Sequence, residues 1–281
     1  MRKWLYLLCF MALPMTAQAW EQTMTCGDNG YACGQYAPKP TAWETPCVVF
    51  HLNERGTQQM DFEDVEQTVK KSVQAWIHPE ISSLMPHFSG LTDEDRIGFN
   101  PYISENTNII VFRDDDWQDS RSMMALTTVT HHNETGYIYD ADIEINTTNW
   151  NFGIVESPDD PIVDLENTLT HEMGHVFGLA HSGDVDATMF AFAAEGVTDL
   201  RTLESDDLAA ISTIYPPSDH QCQFKDEYFE RPPYEMNEGP TPDSCSIQPL
   251  FVTQTHHMYI LFLIFGFIVY MFKRRYQFFR D

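Results

Sequence analysis

The stretch that decides the fold is His171-Glu172-Met173-Gly174-His175-Val176-Phe177-Gly178-Leu179-Ala180-His181. It contains HExxH and extends it to HExxHxxGxxH. On an α-helix, positions four apart sit about 40° from each other around the axis and about 6 Å along it. His171 and His175 can therefore aim ring nitrogens at one ion. Glu172 lies off that line, where it can hold a water polarised by the ion. Gly178 suits a left-handed turn that ends the helix, and the chain then doubles back to bring in His181 from another direction. Three imidazole ligands with a fourth position left open describe a catalytic zinc site, not a structural one. A chain with 11 His in 281 residues would show HExxH by chance about 3 times in 100. The full pattern would arise about once in 20,000 such chains, so the motif is read as chemistry.

Around this motif, apolar residues mark a packing face. Leu165, Leu169, Met173, Val176 and Phe177 form an i, i+4, i+8 stripe. Thr168, His171, Glu172 and His175 lie off it. A helix with separate metal and core faces lines a cleft. Upstream, Pro46 to Leu52 has a buried-strand pattern. Asp61 reads as the N-cap of an amphipathic helix with Phe62, Val65, Val69, Val73 and Trp76 on one face, closed by Pro79. Residues 80–106 read as polar and irregular. Thr107 to Phe112, Met123 to Thr130 and Gly136 to Asn146 read as further strands. The last of these alternates. Ile138, Asp140, Asp142 and Glu144 share one parity, and Tyr137, Tyr139, Ala141, Ile143 and Ile145 the other. The three carboxylates could hold Ca²⁺ through hard oxygen ligands, or simply solvate an outer face. Downstream, Ser205 reads as the cap of a closing helix with Leu208, Ile211 and Tyr215 inward, stopped by Pro216-Pro217. Strands before the site and helices around it give an α+β or mixed α/β domain over about 20–217.

The ends carry different signals. Residues 1–19 have a basic start (Arg2, Lys3), an apolar run and Ala17-Gln18-Ala19 before Trp20, the pattern of a secretory signal peptide. Residues 218–257 read as an acidic, Pro-rich linker. Residues 258–272 are apolar and precede Lys273-Arg274-Arg275, the pattern of a C-terminal membrane-spanning or sorting segment with a basic cytoplasmic tail over 273–281. The expected location is the periplasmic or extracellular face, anchored at the C-terminus.

The net charge is −26, and the two end segments hold six basic residues against one acidic. The stretch between them is therefore more acidic still, which argues against nucleic-acid binding. Five cysteines follow residue 19. Cys26–Cys33 and Cys222–Cys245 are candidate local pairs that leave Cys47 over, and connectivity stays open.

At the extended motif the chain resembles the metzincin metalloproteases, and more narrowly the matrixins. Ser182 follows the third histidine, Met189 stands at the Met-turn position, and Leu203-Glu204-Ser205-Asp206-Asp207-Leu208 through Tyr215-Pro216 is similar to the family's closing segment. Val65 to Leu84 is similar to its first helix, and Asp140-Ala141-Asp142 to its D-A-D strand.

The resemblance implies a zincin-like α+β fold: a mixed twisted sheet with a first amphipathic helix, an active-site helix and a closing helix. It also implies an exported zinc endopeptidase acting on protein or peptide substrates. His171, His175 and His181 would hold Zn²⁺, Glu172 would be general base, and Met189 would form a floor beneath the metal. The strand Met123 to Thr127, with Ala125 and Leu126 at its centre, would take an extended peptide by backbone pairing. Where relatives place a histidine ligand for a second zinc, this chain has Ile138. Phe190-Ala191 follow Met189, so the wall of the specificity pocket is this chain's own. The competing expectation is a zinc-scaffold binding module without activity, against which the intact Glu172 speaks.

Overall fold

A computed structural model describes residues 18–26, 37–103, 106–220, 222–224 and 253–255. The fold is α+β. Strands β1 (Ala42–Trp43), β2 (Cys47–Asn53), β3 (Met85–Thr92), β4 (Ile109–Phe112), β5 (Ala125–His131), β6 (Tyr137–Ile145) and β9 (Thr253–Thr255) form one sheet in the order β3-β2-β4-β6-β5-β9, with β1 against β6. Its inner pairs are parallel, whereas β5 runs antiparallel to β6 and β9 antiparallel to β5. A two-stranded ribbon, β7 (Phe152–Gly153) with β8 (Val163–Asp164), leads into the active-site helix.

Helix α1 (Phe62–Ala75) buries Val65, Val69 and Val73, and Trp76 follows at its C-cap, fully buried. Trp76 donates its indole N–H to Thr170 O at 3.0 Å, which joins α1 to α2 (Leu165–Val176). Leu165, Leu169, Met173, Val176 and Phe177 are all completely buried, as their helical stripe requires. α2 starts under an N-cap: Asp164 accepts from Asn167 N at 2.8 Å. The Asp164 carboxylate also pairs with Arg201 of the 3₁₀ turn Asp199–Arg201. The closing helix α3 (Ser205–Ile214) is capped by Glu204, not Ser205. Glu204 and Asp207 form a reciprocal capping box, which satisfies two orphan N–H groups that Ser205, already inside the helix, cannot reach.

Several expectations are corrected. Residues 80–106 contain β3, an edge strand parallel to β2. Pro86 and Gly90 and a mostly half-buried pattern hid it, and an edge position is where a strand tolerates proline. In β6 the alternation slips: Thr130 pairs with Asp140 but His131 with Ile138, leaving Tyr139 as the extra residue of a bulge. Ile138 turns into the core, while Tyr139 meets Phe99. The acidic face of β6 is not solvated either, because Asp140 and Asp142 are each only 1% exposed.

Cys47 is bonded to Cys222, which rules out a Cys222–Cys245 pair and leaves no spare Cys47. This disulfide ties the segment after α3 back to β2. Cys26 is also disulfide-bonded, and Cys33 and Cys245 lie outside the described residues. So do residues 1–17 and 258–272. Among the described residues no helix is long and apolar enough to cross a membrane.

Candidate active site

His171 and His175 project from the same side of α2, one turn apart. The helix must then end so that His181 can return to them, and four contacts end it. Gly178 takes φ +90°, and a Cβ there would stand 2.2 Å from Thr41 O, so no other residue fits. Trp43 Nε1 donates to Val176 O at 2.9 Å and Tyr215 OH to Phe177 O at 2.9 Å, satisfying carbonyls the helix leaves open. Thr23 N donates to Gly178 O. The returning loop is paired to the lead-in segment, where Ala180 N donates to Glu21 O and Gly183 N to Ala19 O.

The three histidines meet. Their ligand atoms all lie within 4.8 Å of one another, and the Nε2 atoms of His175 and His181 are 3.2 Å apart. His171 Nδ1 lies 2.7 Å from Thr188 O, and His175 Nδ1 lies 2.8 Å from Leu179 O. A carbonyl oxygen only accepts, so each Nδ1 carries the proton and each Nε2, in the neutral ring, presents a lone pair. Lone pairs converging from separate rings fit a cation, and three imidazole nitrogens with an open side fit zinc.

Met189 is fully buried, its sulfur toward Gly174 of α2. Asp207 fixes the turn that carries it by accepting from Thr188 N at 2.8 Å and Met189 N at 3.1 Å. Burial pushes the Asp207 carboxyl up, and these backbone donors pull it back. Asp206, its neighbour, accepts from Ser182 Oγ at 2.6 Å and from Ala19 N at 3.1 Å.

Glu172 is buried beside the triad. Thr127 Oγ1 donates to its Oε2 at 2.6 Å. Burial raises the carboxyl, while His171 and the Thr127 hydroxyl lower it. Thr127, which holds this carboxylate, is a residue that sequence reasoning placed only in an edge strand. No local pattern links residues 127 and 172, since the register of β5 against α2 brings them together.

A cleft runs past these groups. Met123, Met124, Ala125, Leu126 and Thr127 line one side, Asn167, Thr168, His171, Glu172 and His175 another, and Phe190, Ala191, Ala193 and Leu200 close it. Ala125 and Leu126 thus border the cleft that holds the histidine cluster. β9 pairs with β5 only at Thr128, Val129 and Thr130. Among the described residues no strand covers the outer edge of Ala125–Thr127.

The three carboxylates of β6 stand apart from the histidines and are engaged in the fold. Asp142 accepts from Gly98 N at 2.7 Å and Ile109 N at 3.0 Å. Glu144 pairs with Arg113 at 2.7 Å. Burial first, and then the charge of Asp140, hold the Asp142 carboxyl well above its usual range. Among the described residues, the groups of three or more side chains that could hold an ion are the histidine triad and Cys47-His220-Cys222, whose cysteines are joined as a disulfide.

With this geometry in place, comparison with known proteins assigns the family. The matrixin family model matches residues 42–216. The chain belongs to the matrixin family. Interstitial collagenase from Bos taurus is 23% identical over 223 residues, covering 76% of this chain and 42% of that protein. Matrix metalloproteinase-16 from Homo sapiens is 45% identical over 56 residues, covering 20% of this chain and 9% of that protein. The match thus spans less than half the length of either relative. In this matrixin, Ile138 stands in the core at 3% exposure, where a bulge, not a ligand, determines its direction.

Proposed function

We propose that this matrixin is a zinc-dependent endopeptidase that hydrolyses peptide bonds with Glu172 as general base and then general acid. The observation that supports it best is the convergence of imidazole lone pairs enforced by Thr188 O and Leu179 O, with a buried carboxylate alongside. Bound zinc supplies Lewis acidity, lowering the pKa of water and polarising a carbonyl. This chain's residues supply the rest. Thr127 holds Glu172 Oε2, leaving Oε1 to take a proton from the attacking water and return it to the leaving amine. The edge at Ala125–Thr127, which no strand among the described residues covers, offers backbone groups to an extended peptide, and Leu126 and Met124 give it an apolar border.

The proposal extends to location. The Cys47–Cys222 disulfide fits an oxidising compartment, in keeping with export through residues 1–19 and anchoring through residues 258–272. Retention of none of the full chain by carbonate-washed membranes would remove the anchor from this reading.

The test is chelator-sensitive cleavage of casein by the full chain, compared with Glu172→Ala. The variant is expected to bind zinc at unchanged stoichiometry and lose at least about 100-fold in rate. Residual turnover within about tenfold of wild type would refute the role of Glu172. Absence of cleavage by the zinc-loaded wild type would favour an idle scaffold.

A further inference from the structure

Among the described residues, one group able to hold an ion lies outside the active site. Cys47, His220 and Cys222 each offer a ligand atom, and these atoms all lie within 4.8 Å of one another. Cys47 stands at the start of β2 and is buried. His220 is exposed and Cys222 half-buried, both on the segment that leaves α3. The two sulfurs are bonded to each other. A disulfide presents no thiolate, so the group becomes a ligand set only once that bond is broken.

Three observations make it one. The donors are two sulfurs and an imidazole, a set that selects zinc over the hard cations calcium and magnesium. The reach is right as well. Tetrahedral zinc takes sulfur at about 2.3 Å and nitrogen at about 2.0–2.1 Å, which spaces the ligand atoms about 3.5–3.8 Å apart. A His220 ring nitrogen already lies within 4.8 Å of both sulfurs. The cysteine Cα atoms are 5.6 Å apart, so rotation about the Cα–Cβ bonds parts the thiols without moving the backbone far. The third observation is a second tether. The segment carrying His220 and Cys222 belongs to no helix or strand, and opening the bridge would release it if nothing else held it. Phe224 stacks on His87 at 4.3 Å between ring centroids and 12° between planes. His87 belongs to β3, opposite Val49 of β2. That contact involves neither sulfur, and it keeps Cys222 close to Cys47 after reduction.

We infer that Cys47, His220 and Cys222 form a redox-gated zinc site, which holds the segment after α3 on β2 when the disulfide is reduced. The reductant is a dithiol. It closes to its own disulfide and passes two electrons and two protons to the sulfurs of Cys47 and Cys222. Zinc then releases both thiol protons to solvent and binds the two thiolates and a neutral His220 nitrogen, with water as fourth ligand. Reoxidation by a disulfide reverses both steps and expels the ion. No group of the cleft takes part, so the inference stands apart from the peptidase reading.

The experiment measures zinc on the full chain by equilibrium dialysis, oxidised and then in a phosphine reductant. The oxidised chain should hold one zinc at the histidine triad, and the reduced chain one more. Cys26 is also disulfide-bonded, so the decisive comparison is among reduced proteins, in which the other thiols are common to all. Reduced Cys222→Ser should hold one zinc fewer than reduced wild type. With cobalt as the probe it should lose sulfur-to-metal charge-transfer absorption that wild type shows. Reduced His220→Ala, a change at an exposed side chain, should bind the second zinc more weakly by at least the roughly 10–100-fold that losing a ligand's outer partner costs. Circular dichroism follows folding, and zinc should raise the Tm of reduced wild type more than that of reduced Cys222→Ser. Equal zinc content in reduced wild type and Cys222→Ser overturns the inference. So does a second zinc held equally by the oxidised chain, an affinity in His220→Ala within about twofold of wild type, or a reduced wild type that unfolds and is not restored by zinc.

Discussion

Gly174→Ala is the most informative single change in the active-site helix, because helix propensity and packing predict opposite signs. An alanine in a helix interior is favoured over glycine by about 1 kcal/mol, so sequence reasoning alone expects stabilisation. The structure places a Cβ at this position 2.1 Å from Met189 Sδ, 3.0 Å from Met189 Cε and 3.0 Å from Trp76 Cη2. Ordinary contact is about 3.5–4.0 Å, so the sulfur must retreat by more than an ångström. Met189 and Trp76 are both completely buried, and Trp76 is tied to Thr170 O, so neither can swing into solvent. Overpacking of this kind costs about 1–3 kcal/mol, and a clash this deep belongs at the upper end. Subtracting the propensity gain leaves about 2 kcal/mol of net destabilisation. For a domain of this size that is a fall in Tm of about 4–8 °C, read by calorimetry. Pushing α2 off Met189 also moves His171 and His175 relative to His181, so zinc affinity should fall as well. Met189→Ala supplies the control. The added methyl then enters space the methionine has left, and the pair should couple favourably by at least about 1 kcal/mol. A Tm that is unchanged or raised in Gly174→Ala, or additivity within about 0.5 kcal/mol, would refute the packing argument.

Three further outcomes are expected. Thr127→Val keeps the shape at Glu172 but removes the 2.6 Å donor; kcat/KM should drop about tenfold at unchanged zinc content and recover in Thr127→Ser, and a fully active valine variant would show that Glu172 is held by other means. The Cys47–Cys222 bridge closes a loop with a sequence separation of 175, for which chain entropy gives a ceiling of about 5 kcal/mol; replacing both cysteines with serine should lower the urea midpoint substantially, and an unmoved midpoint would contradict the role assigned to the bridge. Asp142 has a raised folded-state pKa through burial and the Asp140 charge, so its contribution to stability is full below the unfolded value and is lost as pH rises through the folded one. Acidification from about pH 7 to about pH 5 should therefore stabilise wild type relative to Asp142→Asn, and a wild-type denaturation midpoint that falls relative to that of Asp142→Asn over that range would refute the argument.

How much of this was legible in the sequence depended on the range over which each interaction acts. The helix that carries His171 and His175 was legible because HExxH and the stripe from Leu165 to Phe177 are both periodic within one element. The turn at Gly178 was legible because one backbone conformation demands one residue type, and the structure gives it φ +90°. What escaped was set by pairing between distant segments. β3 exists because β2 offers it a partner, despite Pro86 and Gly90. Ile138 points inward because β5 imposes a bulge opposite it. Cys47 finds Cys222 because β2 lies under the segment leaving α3, which local spacing cannot reveal.

The orientation of the histidines belongs to the same hidden class, for a chemical reason. The groups that fix the proton on Nδ1 of His171 and His175 are the carbonyls of Thr188 and Leu179. Any residue at those positions offers the same oxygen, so side-chain identity there carries no trace of the role. The role surfaces one step further out, at Asp207, whose carboxylate receives the N–H groups of Thr188 and Met189 and the N-cap of α3. One buried carboxylate thus sets where the Met189 turn lies, where the carbonyl behind His171 points, and where the closing helix begins. Replacement by asparagine would keep one acceptor oxygen and turn an amide N–H toward a backbone donor, breaking the reciprocal cap and releasing the turn together. The motif from His171 to His181 names the chemistry, while the alignment that makes it usable is built by a residue far along the chain, in the segment that closes the fold.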